Sequence, residues 1–438
     1  MKGHIAIRKE NIEPTERRSP MTPAQAARLI EKGLEVTVEP WDNRYFSAAQ
    51  WRENGARISD DLSAANIIFG VKEVPVDDLY PGKPHVFFSH TIKGQSYNMP
   101  LLQAILDNKV TLLDYEKVTD ERGRRLIFFG PYAGLAGAIN ALWLLGRRLE
   151  KEGIASPLSQ IRQAREYASL EEAKKAIRAV AAHIEADGMP DTGQTWSIAL
   201  TGAGTVSRGA QEIIDLLPVK EVTPPEFRQM QKEGSFDRKT LYKVIIDCDN
   251  FVKPKNPAGK FDWQDYFDHP EKYEADFEGY LSDLTVVING IYWETRYPRL
   301  ITKEAVARLY SEKQPDLRVI ADITCDVQGS VECTLHCTAS DKPAYVYDPQ
   351  KDEADESMQA HGPVILAVDK LPSELPGEAT AFFGEALAPY VVDLARADFS
   401  ASFEELDIPA PFKRAVIAHQ GRLTPDFEYL YDFLKKQS

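Results

Sequence analysis

The sequence predicts an α/β protein with two domains, each a mostly parallel sheet flanked by helices. Three observations predict it. Short apolar runs alternate with helix-like segments through both halves of the chain. A glycine-rich turn, Gly202-Ala203-Gly204, follows one such run and opens a helical pattern. At 438 residues the chain exceeds one ordinary core, so two domains, or three at most, are expected.

Residues 4–8 (HIAIR) alternate as a strand does. Thr22 then reads as a helix N-cap, Pro23 suits the first helical position, Gln25 completes a capping box and Gly33 ends the helix. Strands are expected at 34–40, 66–71, 85–89 and 110–115, and a hairpin over 118–129 that turns at Asp120–Gly123. Residues 134–149 are apolar on nearly every face and carry small residues at 134, 136, 137 and 138. That predicts a buried helix able to approach another backbone closely, read here as crossing between the domains. Ser169 and Glu172 form a second capping box, and Gly188 follows that helix. The second sheet starts at 195–202 and continues at 241–248, 284–293, 317–324 and 363–369, before a second long helix over 377–397. Residues 252–280 read as an irregular excursion and 348–357 as an acidic, mobile loop. The expected division is 1–133, 134–376, and C-terminal helices over 377–438 that return to the first domain.

A net charge of −15, with 43% hydrophobic and 27% charged residues, describes a soluble globular chain. It argues against nucleic acid and anionic membrane as partners. The N-terminus runs directly into a strand pattern, so no signal peptide is expected, and no apolar run approaches the roughly 18–20 residues of a membrane span. Cys248, Cys325, Cys333 and Cys337 are too few for a disulfide framework. Cys333-x3-Cys337 supplies only half of a zinc-site spacing, so no metal is assigned. The expected compartment is the cytoplasm.

The turn at Gly202 and Gly204 has the context of a dinucleotide-binding loop, although Ser207 stands where the third glycine is usual. Gly209-Ala210 lie close by and could allow the same close packing, so the motif is displaced rather than damaged. A pyrophosphate would sit on the helix N-terminus. Glu221 and Glu226 are candidates for the ribose-binding acid, but neither falls cleanly at the strand end. Arg208 and Arg228 could hold a 2′-phosphate, which favours NADP and leaves NAD open.

In the first half, basic and titratable residues follow successive strands: Arg17 and Arg18 in ERRSPMTP, Lys72 and Glu73 in GVKEVP, His90 and Lys93 in FFSHTIK, Glu116 in DYEK. In an open α/β sheet that rim binds ligands, and a basic rim on an acidic protein suits a dicarboxylate. Lys72 and His90 are the expected proton-transfer pair: neighbouring cations ease proton loss from a lysine, and histidine titrates near neutrality. Asp326, just past a strand of the second sheet, could face the same rim, or could serve only to stabilise its loop.

ERRSPMTP, GVKEVP, FFSHTIKGQ, LLDYEKVTDERGRRLIFFGPYAGLAG, TGAGTVSRGAQ, INGIYWETRYPRLIT, ADITCDVQGSVECT and VDKLPSELPGEAT occur in this order. Together they resemble the lysine–ketoglutarate reductase half of aminoadipic semialdehyde synthase. The wider superfamily holds lysine-forming saccharopine dehydrogenases, alanine dehydrogenase and the transhydrogenase alpha subunit. The resemblance implies two Rossmann-like domains with an active-site cleft between them that closes over the substrates. It implies Lys72 and His90 as acid/base groups and Arg18 as a carboxylate ligand. Glu73, Lys93 and Glu116 would line the substrate site, and Asp326 would lie near the nicotinamide. The cofactor set is then Gly202, Gly204, Thr205, Val206, Arg228, Asn289 and Asp326, and the displaced glycine is the family's own pattern. The implied reaction condenses lysine with 2-oxoglutarate and reduces the imine with NADPH to saccharopine. With the chain ending at 438, the glutamate-forming half of the bifunctional enzyme is expected to be absent. Alternatives are NAD-dependent saccharopine oxidation to lysine, an amino-acid dehydrogenase of alanine-dehydrogenase type, and a non-catalytic nucleotide-binding regulator.

Overall fold

Short, β-branched runs pair into two eight-stranded sheets, one in each of two units. The computed structural model describes residues 3–12, 15–193, 195–234, 236–312 and 315–435; the expected outer bounds, 1 and 438, lie outside them. The units divide at Phe129/Gly130 and Leu375/Pro376, a few residues before the expected 133/134 and 376/377.

The first unit begins β1 (His4–Ile7), α1 (Pro23–Glu31), β2 (Glu35–Val38), α2 (Ala48–Glu53), β3 (Arg57–Ile58), β4 (Ile67–Phe69), β5 (Pro84–Phe87), α3 (Met99–Asp107) and β6 (Thr111–Asp114). Its strands pair in parallel in the order β6-β5-β4-β1-β2-β3. Thr22 and Gln25 close the capping box of α1, as their spacing predicts. β4, β5 and β6 are buried along their whole length, which explains their unbroken apolar runs.

The second unit runs α4 (Gly130–Lys151), α5 (Leu170–Asp187), β7 (Ser197–Thr201), α6 (Thr205–Ile214), β8 (Val219–Val222), α7 (Pro224–Glu233) and β9 (Leu241–Ile246). It continues with α8 (Cys248–Phe251), β10 (Val252–Pro254), α9 (Trp263–Asp268), β11 (Tyr273–Ala275), β12 (Val286–Asn289), α10 (Lys303–Glu312), β13 (Val319–Asp322), β14 (Ala344–Asp348), β15 (Glu353–Asp355) and β16 (Val364–Leu366). Strands β8-β9-β7-β12-β13-β16 are parallel; β14 and β15 extend the sheet antiparallel. The chain then returns to the first unit through α11 (Pro376–Arg396), α12 (Ala410–Lys413), β17 (Val416–His419), β18 (Arg422–Leu423) and α13 (Tyr431–Leu434).

Several expectations are corrected. α4 does not cross between domains: it belongs wholly to the second unit, where its small-residue face lies against α6. A Cβ on Gly134 would stand 1.9 Å from the Val206 carbonyl oxygen, and one on Gly209 would stand 2.1 Å from that of Pro131. The hairpin at 118–129 reduces to one bridge, Thr119–Arg125, because the Asp120 carboxylate takes the N–H groups of Arg122 and Arg124 into a tight loop. The acidic loop contains the edge strand β15, which needs only main-chain pairing with β14. The C-terminal segment is not purely helical, since β17 adds to β6 antiparallel. At α5, Ser169 caps Glu172 N, but the Glu172 carboxylate turns to Ala168 N at 2.7 Å, so the box is not reciprocal. The excursion at 252–280 holds the β10–β11 hairpin, packed with Phe261, Tyr266 and Tyr273.

Candidate functional site

Because β4, β5 and β6 are adjacent and parallel, the segments after them lie along one edge of the first sheet. Lys72 and Glu73 follow β4, His90 follows β5, and Glu116 follows β6. The structure brings Glu73 and His90 together: His90 Nδ1 and Glu73 Oε1 are 2.5 Å apart. Burial works against the charged imidazole, but the hydrogen bond and charge of Glu73 outweigh it and raise the His90 pKa. Burial likewise disfavours the Glu73 carboxylate, and the His90 bond more than offsets it, so its pKa is lowered. Each group thus favours the charged form of the other, the imidazolium of His90 and the carboxylate of Glu73. Lys72 is half-buried and close enough to contribute its charge to Glu73, His90 and Glu16.

Arg18 is only 4% exposed, over the Phe129 ring with its guanidinium carbon 4.2 Å from the centroid. It is already paired: Nε donates to Glu16 Oε1 at 2.8 Å and Nη2 to Glu16 Oε2 at 2.6 Å. Burial disfavours the Glu16 carboxylate, yet Arg18 overcomes this and holds its pKa down. Glu16 was not singled out in the sequence. Arg17, by contrast, is exposed and lies near Tyr45. Glu116 is half-buried and ion-paired with Arg125. Lys93 is exposed on the loop after β5.

Two further carboxylates escaped sequence reasoning, Glu10 and Asp114, both buried beneath this edge. In a sequence they look like any surface acid; only long-range packing reveals them.

In the second unit, β7 delivers Gly202 at φ +75°, a left-handed turn that favours glycine. Gly204 is the N-cap of α6 and offers no side-chain cap; a Cβ there would meet nothing within 4 Å. The first N–H groups of α6, from Thr205 and Val206 onward, are thus left for an anion at an open helix end. Val206 has a second task. Its side chain packs at Gly290, where a Cβ would be 3.0 Å from Val206 Cγ1, and its carbonyl abuts Gly134. Gly209, with Gly134, supplies the close approach expected of the missing third glycine, but toward α4.

Asn289 at the end of β12 is fully buried. Its Nδ2 donates to Asp322 Oδ1 at 2.8 Å and Ser330 Oγ at 2.8 Å, and its Oδ1 accepts from Thr201 Oγ1 at 2.7 Å. It ties the ends of β7, β12 and β13 together. Asp326 is exposed beyond β13. Neither candidate ribose acid is idle: Glu221 pairs with Lys243 at 2.7 Å, and Glu226 closes the capping box of α7 with Thr223. Arg228, exposed on α7, stacks over Tyr280 at 4.0 Å and lies 4.0 Å from Asp276. The four cysteines are free thiols, and no cluster of metal-ligating side chains occurs among the described residues.

Residues 6–136 match the alanine dehydrogenase/PNT N-terminal domain and residues 265–426 its C-terminal domain. The chain is 37% identical to alpha-aminoadipic semialdehyde synthase of Arabidopsis thaliana over 98% of its own length and 41% of that protein. It is 26% identical to an L-lysine-forming, NAD(+) saccharopine dehydrogenase of Emericella nidulans, covering 87% of this chain and 90% of that one. Against the semialdehyde synthases the chain spans less than half of the relative's length. An L-alanine dehydrogenase structure superposes with a TM-score of 0.63 at 17% identity, covering 98% of this chain and 99% of that one. Two mostly parallel sheets, a glycine turn opening α6 and both domain matches agree: the chain belongs to the alanine dehydrogenase/PNT family.

Proposed function

We propose that this protein is an NAD(P)-dependent oxidoreductase acting on CH–NH donors, which joins lysine to 2-oxoglutarate to give saccharopine. The observation that carries the proposal is the His90–Glu73 pair with Lys72 and the buried Arg18–Glu16 pair along one sheet edge. The ε-amine of lysine attacks the keto carbon of 2-oxoglutarate, and loss of water leaves an imine. A bound nicotinamide supplies the hydride that reduces the imine carbon, and one proton completes the secondary amine. His90, whose protonated form Glu73 favours, is suited to give a proton to the departing oxygen. Lys72 is its partner for the proton leaving the amine. Arg18, whose Nη1 makes no hydrogen bond among the described residues, takes a substrate carboxylate beside Glu16. Glu116 and Lys93 border the substrate from the loops after β6 and β5.

The residues of the second unit fit a dinucleotide. Gly204 leaves room for a pyrophosphate at the α6 N-terminus, and Thr205 and Val206 present their N–H groups. With Glu221 and Glu226 engaged elsewhere and Arg228 free on one edge of its stack, we favour NADP over NAD. Asn289 holds the loop ends in register, and Asp326 borders the nicotinamide. The free thiols suit a reducing compartment, and we place the protein in the cytoplasm. No described helix is long and apolar enough to cross a membrane.

The test is oxidation of NADPH or NADH with lysine and 2-oxoglutarate, each omitted in turn. Oxidation that needs both substrates, faster with NADPH, is expected. Turnover with pyruvate and ammonia instead would move the protein to the amino-acid dehydrogenase branch of its family.

A further inference from the structure

Two buried carboxylates at the first unit's sheet edge take most of their hydrogen bonds from the main chain. Glu10 is 2% exposed, and its two oxygens straddle consecutive peptide groups: Oε1 accepts from Val71 N at 2.7 Å and Oε2 from Lys72 N at 2.9 Å. Asp114 is fully buried and spans two strand ends. Its Oδ2 accepts from Ser89 N at 2.9 Å and Ser89 Oγ at 2.5 Å, while its Oδ1 accepts from Glu116 N at 2.7 Å.

Burying a carboxylate is costly, and peptide N–H groups at a strand end could be satisfied by water instead. Burial pushes the pKa of both acids up, against the bonds that favour the ionised forms. The same expensive device nevertheless occurs twice, each time on the peptide of a proton-transfer candidate or of the residue just before it. His90 supplies a third observation. It sits at φ +52°, a left-handed conformation that an L residue holds only when its surroundings impose it. Ser89, fixed by Asp114, precedes it, and Asn98 Nδ2 donates to the His90 carbonyl at 3.1 Å.

We propose that Glu10 and Asp114 are positioning residues, two main-chain clamps that set Lys72 and His90 in the geometry that proton transfer requires. Glu10 fixes where the Lys72 side chain leaves the backbone. Asp114 fixes Ser89, and through it the strained turn that aims His90 at Glu73. Asp114 also sets Glu116, so one carboxylate registers two loops of the site. The proposal rests on the reading of Lys72 and His90 as the proton-transfer pair.

The test uses the full chain with Glu10→Gln, Asp114→Asn and Ser89→Ala. Each amide is isosteric, yet in either orientation it sets an NH2 against a peptide N–H. We expect kcat to fall at least tenfold in Glu10→Gln and Asp114→Asn, with KM within about threefold and cofactor Kd unchanged, and to fall less in Ser89→Ala. The His90 ring is followed by NMR titration, assigned with His90→Gln. Glu73, Lys72 and Asp114 are the charges facing it. Asp114→Asn removes one of these charges and lowers the His90 pKa on that account alone. Ser89→Ala removes none, so a lower His90 pKa in that variant reports a displaced ring. Glu10→Gln should leave the titration in place. A wild-type titration in Ser89→Ala, or a wild-type kcat in Glu10→Gln, overturns the corresponding clamp. If Asp114→Asn fails to fold, those two variants still decide. If the wild-type protein does not turn over lysine with 2-oxoglutarate, the functional reading falls. The titration then judges the Asp114 clamp unaided, and kcat for Glu10→Gln is read with the amine and keto acid the protein accepts.

Discussion

Gly134→Ala should loosen the proposed cofactor loop from behind, by pushing on the Val206 carbonyl. The added Cβ would stand 1.9 Å from the Val206 carbonyl oxygen, 2.7 Å from Ala210 N and 2.9 Å from the Val206 carbonyl carbon. A relaxed carbon–oxygen contact is about 3.3 Å, so α4 and α6 must part by roughly 1.4 Å. The obstacles are backbone atoms, which no rotamer change can move aside. Overpacking of this kind costs about 1–3 kcal/mol, or a fall in Tm of roughly 2–12 °C for a unit of this size. The displaced residue, Val206, lies in the first turn of α6, whose N–H groups are to hold the pyrophosphate. Cofactor affinity should therefore fall together with Tm. Gly146→Ala is the control on the same helix. Its Cβ would meet the Leu158 carbonyl at 2.5 Å, about three turns from Gly134. It should lower Tm and spare the cofactor. Thermal melts and titration of NADPH fluorescence measure both quantities. Equal losses of affinity in the two variants, or an unchanged Tm in Gly134→Ala, would refute the reasoning.

Gly204→Ala makes the opposite prediction, since its Cβ points into open space: Tm is unchanged and the cofactor Kd rises, as melts and fluorescence titration will show. Arg228→Ala should weaken NADPH by about 10- to 100-fold, the worth of a charge-assisted bond, and NADH far less; equal effects on both Kd values count against NADP. Glu73→Gln removes the charge that helps raise the His90 pKa and leaves a weaker, neutral acceptor, so the limb of the pH–rate profile due to His90 should move to lower pH. In the wild type this pair adds stability between the unfolded carboxylate and histidine values, lost as pH rises through the raised folded pKa of His90 and as it falls through the lowered one of Glu73. Glu16→Gln breaks a buried ion pair and should destabilise the first unit by about 3–5 kcal/mol in denaturant unfolding. Because the Glu16 pKa is lowered on folding, the wild-type advantage is present above the unfolded carboxylate pKa and vanishes as pH falls through the folded one.

The central parallel strands β4, β5, β6, β7, β12, β13 and β16 were legible because each is buried along its length and so reads as an apolar run, which the exposed β3 and β8 do not. What escaped was set by partners far away in the chain. β17 pairs with β6 across some three hundred residues, and nothing local in VIAH announces that. β15 is a short edge strand with no fully buried side chain, so its composition is that of a loop. α4 was legible as a buried helix with a small-residue face, but not which backbone that face would meet. In the candidate site, Lys72, Glu73, His90 and Glu116 were singled out because strand ends in an open sheet are where ligands gather. Glu10 and Asp114 were not, since the groups that justify burying them are peptide N–H groups, which every sequence has everywhere.

Glu16 marks the same limit from the side of chemistry. A guanidinium as deeply buried as Arg18 cannot wait unpaired for a substrate, because the uncompensated charge would cost several kcal/mol. Some anion has to neutralise it in the free protein, and Glu16 does so through two parallel bonds at 2.8 and 2.6 Å. If Arg18 is the carboxylate ligand proposed, it would meet a substrate with its charge already spent. What it still offers is the Nη1 edge and a fixed plane over Phe129. Arg18 can then contribute direction more than net attraction, and the net positive charge facing a dicarboxylate must come from Lys72 and Lys93, with Glu73 offset only while His90 carries its proton. Neutralising His90 at high pH should accordingly raise KM for the keto acid as well as lower kcat, and Glu73→Gln should bring both changes to lower pH together. A KM that stays flat while kcat titrates would return the attraction to Arg18.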